Sequence, residues 1–134
     1  MSLLYVKQPR KSPKDKSVKF YPQVKSIKLI KQKEVAKLLS DETTLNPMEA
    51  AFVLEQLSKI VERLLLQSYS VQLGEWASFF LTNTSEGAET QEACTPQKIK
   101  SLHVRVRFGK EFRQSINNKA EYRYVQDMEI NKGK

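Results

Sequence analysis

The run Asn46-Pro47-Met48-Glu49, followed by an apolar-rich stretch to residue 67, constrains the fold more than any other part of the chain. Asparagine is a strong helix N-cap. Proline suits the first helical position, where its missing N–H would have had no partner, and an acid three residues after the cap can close the turn. A helix over residues 47–67 is expected. At 100° per residue, Ala50, Val53, Leu54, Leu57, Ile60, Val61, Leu64 and Leu65 share one broad stripe, while Met48, Phe52 and Leu66 lie on the other side. An ordinary core helix accounts for the main stripe. The second patch needs its own cover, from another helix of the chain or from a symmetry-related subunit, and a helix apolar on two sides favours a dimer.

Around this helix the patterns are shorter. Residues 32–39 read as a brief helix with Val35, Leu38 and Leu39 on one side and lysines on the other, stopping near residues 41–44. Upstream, residues 3–6 suggest a strand and residues 7–16 a basic loop punctuated by Pro9 and Pro13. A second strand follows at 18–24, where Pro22 points to a sheet edge because it cannot donate to a ladder. Residues 27–30 are ambiguous. Downstream, residues 70–74 and 76–82 form a strand-turn-strand meander. Residues 83–94 hold nothing apolar enough for a core and read as an exposed loop or arm. Residues 101–108 alternate Leu102, Val104, Val106 and Phe108 against His103, Arg105 and Arg107, which makes His103 a surface strand residue. A final helix over 110–118 turns Phe112 and Ile116 inward and Lys110 and Arg113 outward. The tail carries a faint alternation through Tyr122, Tyr124 and Met128, compatible with an added edge strand or with a segment ordered only by a partner.

The chain has 134 residues, 40% of them hydrophobic, the size and content of one globular domain. It has no apolar run of transmembrane length, and its first six residues lack a basic leader pattern, so a cytoplasmic location is expected. A single cysteine, Cys94, and a single histidine, His103, leave no internal disulfide and no cysteine- or histidine-based metal cluster; no metal or other cofactor is expected. Catalysis is not expected either. The four glycines make no phosphate loop, no serine or cysteine has the makings of a triad, and Glu86, Glu89 and Glu92 sit in a flexible stretch where acids simply solubilise.

Charge is more telling. Residues 1–40 carry a net +9, residues 41–97 a net −7 and residues 98–134 a net +6, within an overall +8. Charge runs are ordinarily solvated faces, yet blocks this lopsided exceed what solubility requires. If the two basic segments meet in space, they make one positive face. Val104-Arg105-Val106-Arg107-Phe108-Gly109-Lys110-Glu111-Phe112-Arg113 gives such a face its form: valines alternate with arginines and run through a glycine corner into a basic helix. One side of the strand can join a core while the other presents guanidinium groups in a row, which suits a polyanion such as nucleic acid.

Two segments carry a resemblance to a known family. Ser70-Val71-Gln72-Leu73-Gly74-Glu75-Trp76-Ala77-Ser78-Phe79 is similar to the V-x-L-x-G-F-G-x-F corner of the HU and integration host factor family of bacterial DNA-binding proteins, and Arg107-Phe108-Gly109-Lys110-Glu111-Phe112 to its x-P-G-K-x-L turn. The resemblance covers residues 31–119; the basic N-terminal strands and the Gly87–Thr90 arm resemble HU-like variants of Bacteroidetes. It implies an α+β fold: two N-terminal helices, an antiparallel β-sheet with a protruding arm, a short C-terminal helix and extra N-terminal strands. The implied organisation is a basic extension at residues 1–30, a DNA-binding domain at 31–119 and a tail at 120–134. It also implies a homodimeric, nucleoid-associated architectural protein that binds duplex DNA. The family's arms reach into the minor groove with arginines and an Asn-Pro tip, whereas this arm has no Lys or Arg between Leu81 and Gln97 and contains three glutamates. Phosphates would repel it, so minor-groove insertion and sharp bending do not carry over.

Contact with DNA is therefore expected on the body, through Lys98, Lys100, Arg105, Arg107, Lys110 and Arg113, where Lys110 matches the lysine of the family's glycine-lysine turn. Arg10, Lys11, Lys14 and Lys16 of the first loop supply a second set that can follow the backbone. None of these reads bases by an evident device, so little sequence preference and a strong salt dependence are expected. The alternative is an HU-fold dimeric protein-interaction scaffold that has lost DNA binding. Neither reading involves a membrane or a small-molecule substrate.

Overall fold

In the computed structural model, which describes residues 2–126, Asn46 caps the long helix as its sequence requires. Its side-chain oxygen accepts the Glu49 backbone N–H at 2.8 Å, and its amide in turn donates to the Glu49 carboxylate. The chain runs β1 (Leu3–Lys11), β2 (Val18–Lys25), α1 (Gln32–Glu42), α2 (Pro47–Leu66), β3 (Val71–Leu73), β4 (Ala77–Ser85), a 3₁₀ turn (Pro96–Lys98), β5 (Ile99–Phe108), α3 (Lys110–Lys119) and β6 (Tyr122–Tyr124). These strands form two three-stranded sheets, β2-β1-β6 and β3-β4-β5. No helix among the described residues is long and apolar enough to cross a membrane.

The second sheet is the expected meander, lengthened. β4 begins at Ala77, one residue after Trp76, and continues to Ser85 against β5, so the base of the arm is laddered and only residues 86–95 are irregular. A register shift between Thr84 and Ser85 marks a bulge where the arm begins. β3 and β4 meet through a turn at Gly74, whose φ of +54° is a conformation glycine adopts without steric cost. Alternation then sorts the sheet. Val71, Leu73, Ala77, Phe79, Leu81, Val104 and Val106 face α2, and the opposite face is polar apart from Phe80.

The N-terminal sheet corrects two expectations. β1 does not stop at Val6: it pairs with β2 as far as Lys11 opposite Val18, so Arg10 and Lys11 are strand residues and only residues 12–17 form the loop. Among the described residues β6 pairs only with Leu3, Leu4 and Tyr5, and no strand but β2 pairs with β1 beside Pro9, so its missing N–H costs no ladder bond on the β6 side. Pro22 does lie on an edge strand, as its chemistry predicts. Tyr122 and Tyr124 form the added strand β6, parallel to β1, while Met128 lies outside the described residues.

Packing is thinner than the apolar content suggests. The buried apolar residues among those described are Val6, Ala36, Ala50, Leu65, Ala77 and Val125. In α1 the buried position is Ala36 rather than Val35 or Leu38, both of which are exposed; a small side chain lets α1 lie close on α2. On α2, Val53, Leu57 and Ile60 of the main stripe remain exposed, and Met48 on the other side is 83% exposed. Ile116 of α3, expected to face inward, is 53% exposed, whereas Phe112 stacks on Phe108 and leans on Trp76 at ring distances of 5.9 and 6.1 Å. Between α2 and the apolar sheet face lies an open groove of about 600 Å³ lined by Leu57, Val61, Leu65, Trp76, Phe79 and Val104 among others.

Candidate nucleic-acid interface

Strand β5 places its arginines by simple alternation. Arg105 sits opposite Phe80 of β4 and Arg107 opposite Ser78, on the face turned away from α2, and both are exposed. The Arg107 guanidinium lies 5.3 Å from the centre of the Phe80 ring, so the ring fixes the cation's direction while leaving its N–H groups free to donate. Phe80 gave no signal in the sequence beyond its place among Ser78, Thr82 and Thr84 on a polar strand face. His103 shares that face. Its Nε2 is 2.7 Å from the Thr84 hydroxyl and 3.3 Å from that of Ser101, a cross-strand hydrogen-bonded cluster that ties the two strands below the arm.

The corner into α3 depends on Gly109. Its N–H donates to the Trp76 carbonyl at 2.8 Å, and a Cβ built on it would stand 1.9 Å from the Glu75 carbonyl oxygen. Only glycine allows the two backbones to come this close. The contact clamps the start of α3 to the β3–β4 turn and so fixes Lys110, the first helical residue, relative to Arg107. Arg113 follows one helical turn later on the same side as Lys110, and both are exposed. Glu111 occupies the first turn, where a negative charge complements the helix dipole.

The remaining candidates divide. Lys98 ends the 3₁₀ turn and is half-buried. Lys100 stands at the bulge with its ammonium 3.7 Å from the Glu86 carboxylate. Both groups of that pair are more than half exposed, which makes it an interaction worth at most about 1 kcal/mol that a phosphate can displace. Arg10, Lys11, Lys14 and Lys16 belong to the other sheet and its hairpin loop. Arg10 lies 5.6 Å over the Tyr21 ring, and Lys16 takes a left-handed φ of 59° at the loop. Asp15 is held in that loop by hydrogen bonds from the Ser17 hydroxyl at 2.8 Å and the Ser17 N–H at 3.1 Å, which, with a contribution from Ser12, keep its carboxyl below the usual aspartate range. The structure thus brings Arg105, Arg107, Lys110 and Arg113 together around one strand-to-helix corner and keeps the N-terminal set on a separate hairpin. Lys7 and Arg123, which the sequence did not single out, belong to that N-terminal sheet.

Comparison with the curated proteins finds no match. Among solved structures, the fold is similar to a crystal structure of a protein from Bacteroides vulgatus that is provisionally described as a bacterial DNA-binding protein. The TM-score is 0.62 at 15% sequence identity, and the match covers 94% of this chain but 50% of that one, so this chain spans about half the length of its structural relative. Residues 1–123 match the family described as an HU domain fused to a wHTH, Ig or glycine-rich motif. The strand-glycine-helix corner, the helical base and the N-terminal strands all fall within that match, and the chain belongs to the HU-HIG family.

Proposed function

We propose that this chain is a homodimeric, non-enzymatic HU-like protein that binds duplex DNA through phosphate contacts with little sequence preference, as a component of the bacterial nucleoid. In this reading residues 31–119 form the DNA-binding body, residues 1–30 a basic extension and residues 120–134 a tail. The observation that carries it is the corner itself: Arg105 and Arg107 in a row on an exposed sheet face, continued by Lys110 and Arg113 on the helix that Gly109 clamps in place. Four cations held by backbone geometry suit a ladder of phosphates. Contacts of cations to phosphates fix position on the backbone and carry no sequence information.

Dimerisation is supported by surface. The chain exposes 11,824 Å², against about 7,200 Å² for a folded monomer of its mass. Part of that exposure is the apolar groove between α2 and the sheet, together with Val53, Leu57 and Ile60 of α2, which a second copy's apolar elements would cover.

A salt titration of binding to random-sequence duplex tests the reading. Log affinity should fall linearly with log salt, by about 0.9 per phosphate contacted, and replacing Arg105 and Arg107 by Ala should flatten the slope by about 2 per subunit. An unchanged slope removes the corner as the site. Failure to retain duplex even at low salt would favour a protein-interaction scaffold, a reading consistent with the arm's three glutamates and with the Glu86 pair on Lys100.

A further inference from the structure

The N-terminal sheet carries an aromatic face that the duplex-binding corner does not use. Alternation along β1 puts Leu3, Tyr5, Lys7 and Pro9 on one side. Register brings Tyr122 opposite Leu3, Tyr124 and Val24 opposite Tyr5, Pro22 opposite Lys7 and Phe20 opposite Pro9, all on the same face. The rings are close: Tyr5 lies 6.5 Å from Tyr122 and 5.7 Å from Tyr124, and the Lys7 ammonium sits 4.5 Å over Tyr124. They are also open, with Phe20 67% and Tyr122 62% exposed. The opposite face holds what this sheet buries, Val6 with Val125 and Leu4.

We propose that this face binds single-stranded DNA, with Tyr122, Phe20 and the Tyr5–Tyr124 pair stacking on unpaired bases and Lys7 and its basic neighbours holding the backbone. Charge selects the occupant. Residues 3–25 carry seven cations and one acid, with Lys7 and Lys11 on this face and the others on the opposite face or in the loop, so a polyanion is attracted while a second copy of the same sheet is repelled. A second copy would also bury Lys7, which stands amid the rings, without a counter-charge; a phosphate supplies one. Strandedness follows from the rings. A paired duplex hides the faces of its bases within its own stack, whereas exposed rings set at angles to one another beside cations are complementary to bases that are free and splayed. The choice of DNA over RNA rests on the duplex reading above; the stacking argument does not.

The experiment measures fluorescence anisotropy of labelled oligo-dT of about 15 nucleotides, of oligo-rU of the same length and of a random duplex, each titrated with the full chain and with two double variants. Phe20→Leu with Tyr122→Leu keeps apolar bulk but removes both rings, and should weaken oligo-dT binding roughly tenfold per ring while leaving duplex affinity unchanged. Phe20→Tyr with Tyr122→Phe keeps the rings and should bind oligo-dT like the parent. Loss of duplex binding with ring-dependent oligo-dT binding intact would sink the duplex reading and leave this one standing. Oligo-dT affinity insensitive to the leucine variant overturns the proposal, as does tighter binding of oligo-rU, or sedimentation showing that the same variant dissolves an association between copies.

Discussion

The two sheets are built from the same number of strands and use them in opposite ways. In β3-β4-β5 the cations and the aliphatic residues are segregated: Arg105 and Arg107 occupy one face with Phe80 as the ring beside them, and Val104, Val106 and Phe79 face α2 on the other. In β2-β1-β6 they are mixed, with Lys7 on the same face as three tyrosines and Phe20. Segregation follows from having a helix to pack against, since a buried face cannot hold an unpaired ammonium. With no helix among the described residues laid on its aromatic face, the N-terminal sheet can mix rings and charge. The consequence is functional: a segregated sheet offers phosphates a row of guanidinium groups, whereas a mixed one offers a surface on which rings and charges act together.

That contrast can be broken most sharply at its most constrained point. Gly109→Ala should destabilise the body by about 3 kcal/mol or more, because the new methyl meets the Glu75 carbonyl and the backbone clamp must open. Urea melts followed by tryptophan fluorescence report it through Trp76, and a change below about 1 kcal/mol would show that the corner is not held by this contact. Next in size, Leu57→Lys places a charge in the open groove and should abolish the dimer at micromolar concentration, seen as half the mass in sedimentation equilibrium. A dimer that survives would move the interface to another surface.

Smaller perturbations separate the sheets from each other. Asn46→Ala removes the cap of α2 and should cost about 1 kcal/mol of body stability, with amide exchange in the β1–β2 hairpin unaltered; slower or faster exchange there would mean that the two parts unfold together. The smallest effect belongs to the hairpin loop. Since the Asp15 carboxyl is held below its ordinary range by Ser17 and Ser12, its stabilisation of the loop is complete above the unfolded aspartate pKa and is lost as pH falls through the lowered folded value. Ser17 amide shifts should follow that acid titration, and Asp15→Asn should abolish it while the β5–α3 corner stays unchanged.

How far each part could be read from the residues tracks the range of the interactions that form it. The cap of α2 and the alternation of β5 are set by neighbours within a few residues, and each is found where its chemistry points; Gly109 and Pro22 are also found where expected, although what constrains them is a backbone or a sheet order distant in sequence. β1 is longer than its prolines suggest because the cost of Pro9 depends on whether a strand other than β2 lies beside it, and among the described residues none does. The buried position of α1 falls on Ala36 because closeness of approach to α2, rather than bulk, selects it. Phe80 under Arg107 and Lys7 over Tyr124 depend on cross-strand register, which no single segment specifies.

Local chemistry was therefore sufficient for the helices, the meander and the alternation that places the arginines of β5, since capping and periodicity act over one or two turns of chain, while the HU-like fold was implied by the resemblance of two short motifs. The assembly of the second sheet needed the fold: β6 joins β1 across more than a hundred residues, and a pairing at that separation is chosen by the whole chain's packing rather than by either strand. The same holds for the uncovered groove and the open aromatic face. Hydrophobicity in a sequence says that a side chain gains by burial, and only the arrangement of everything else determines whether a cover is present.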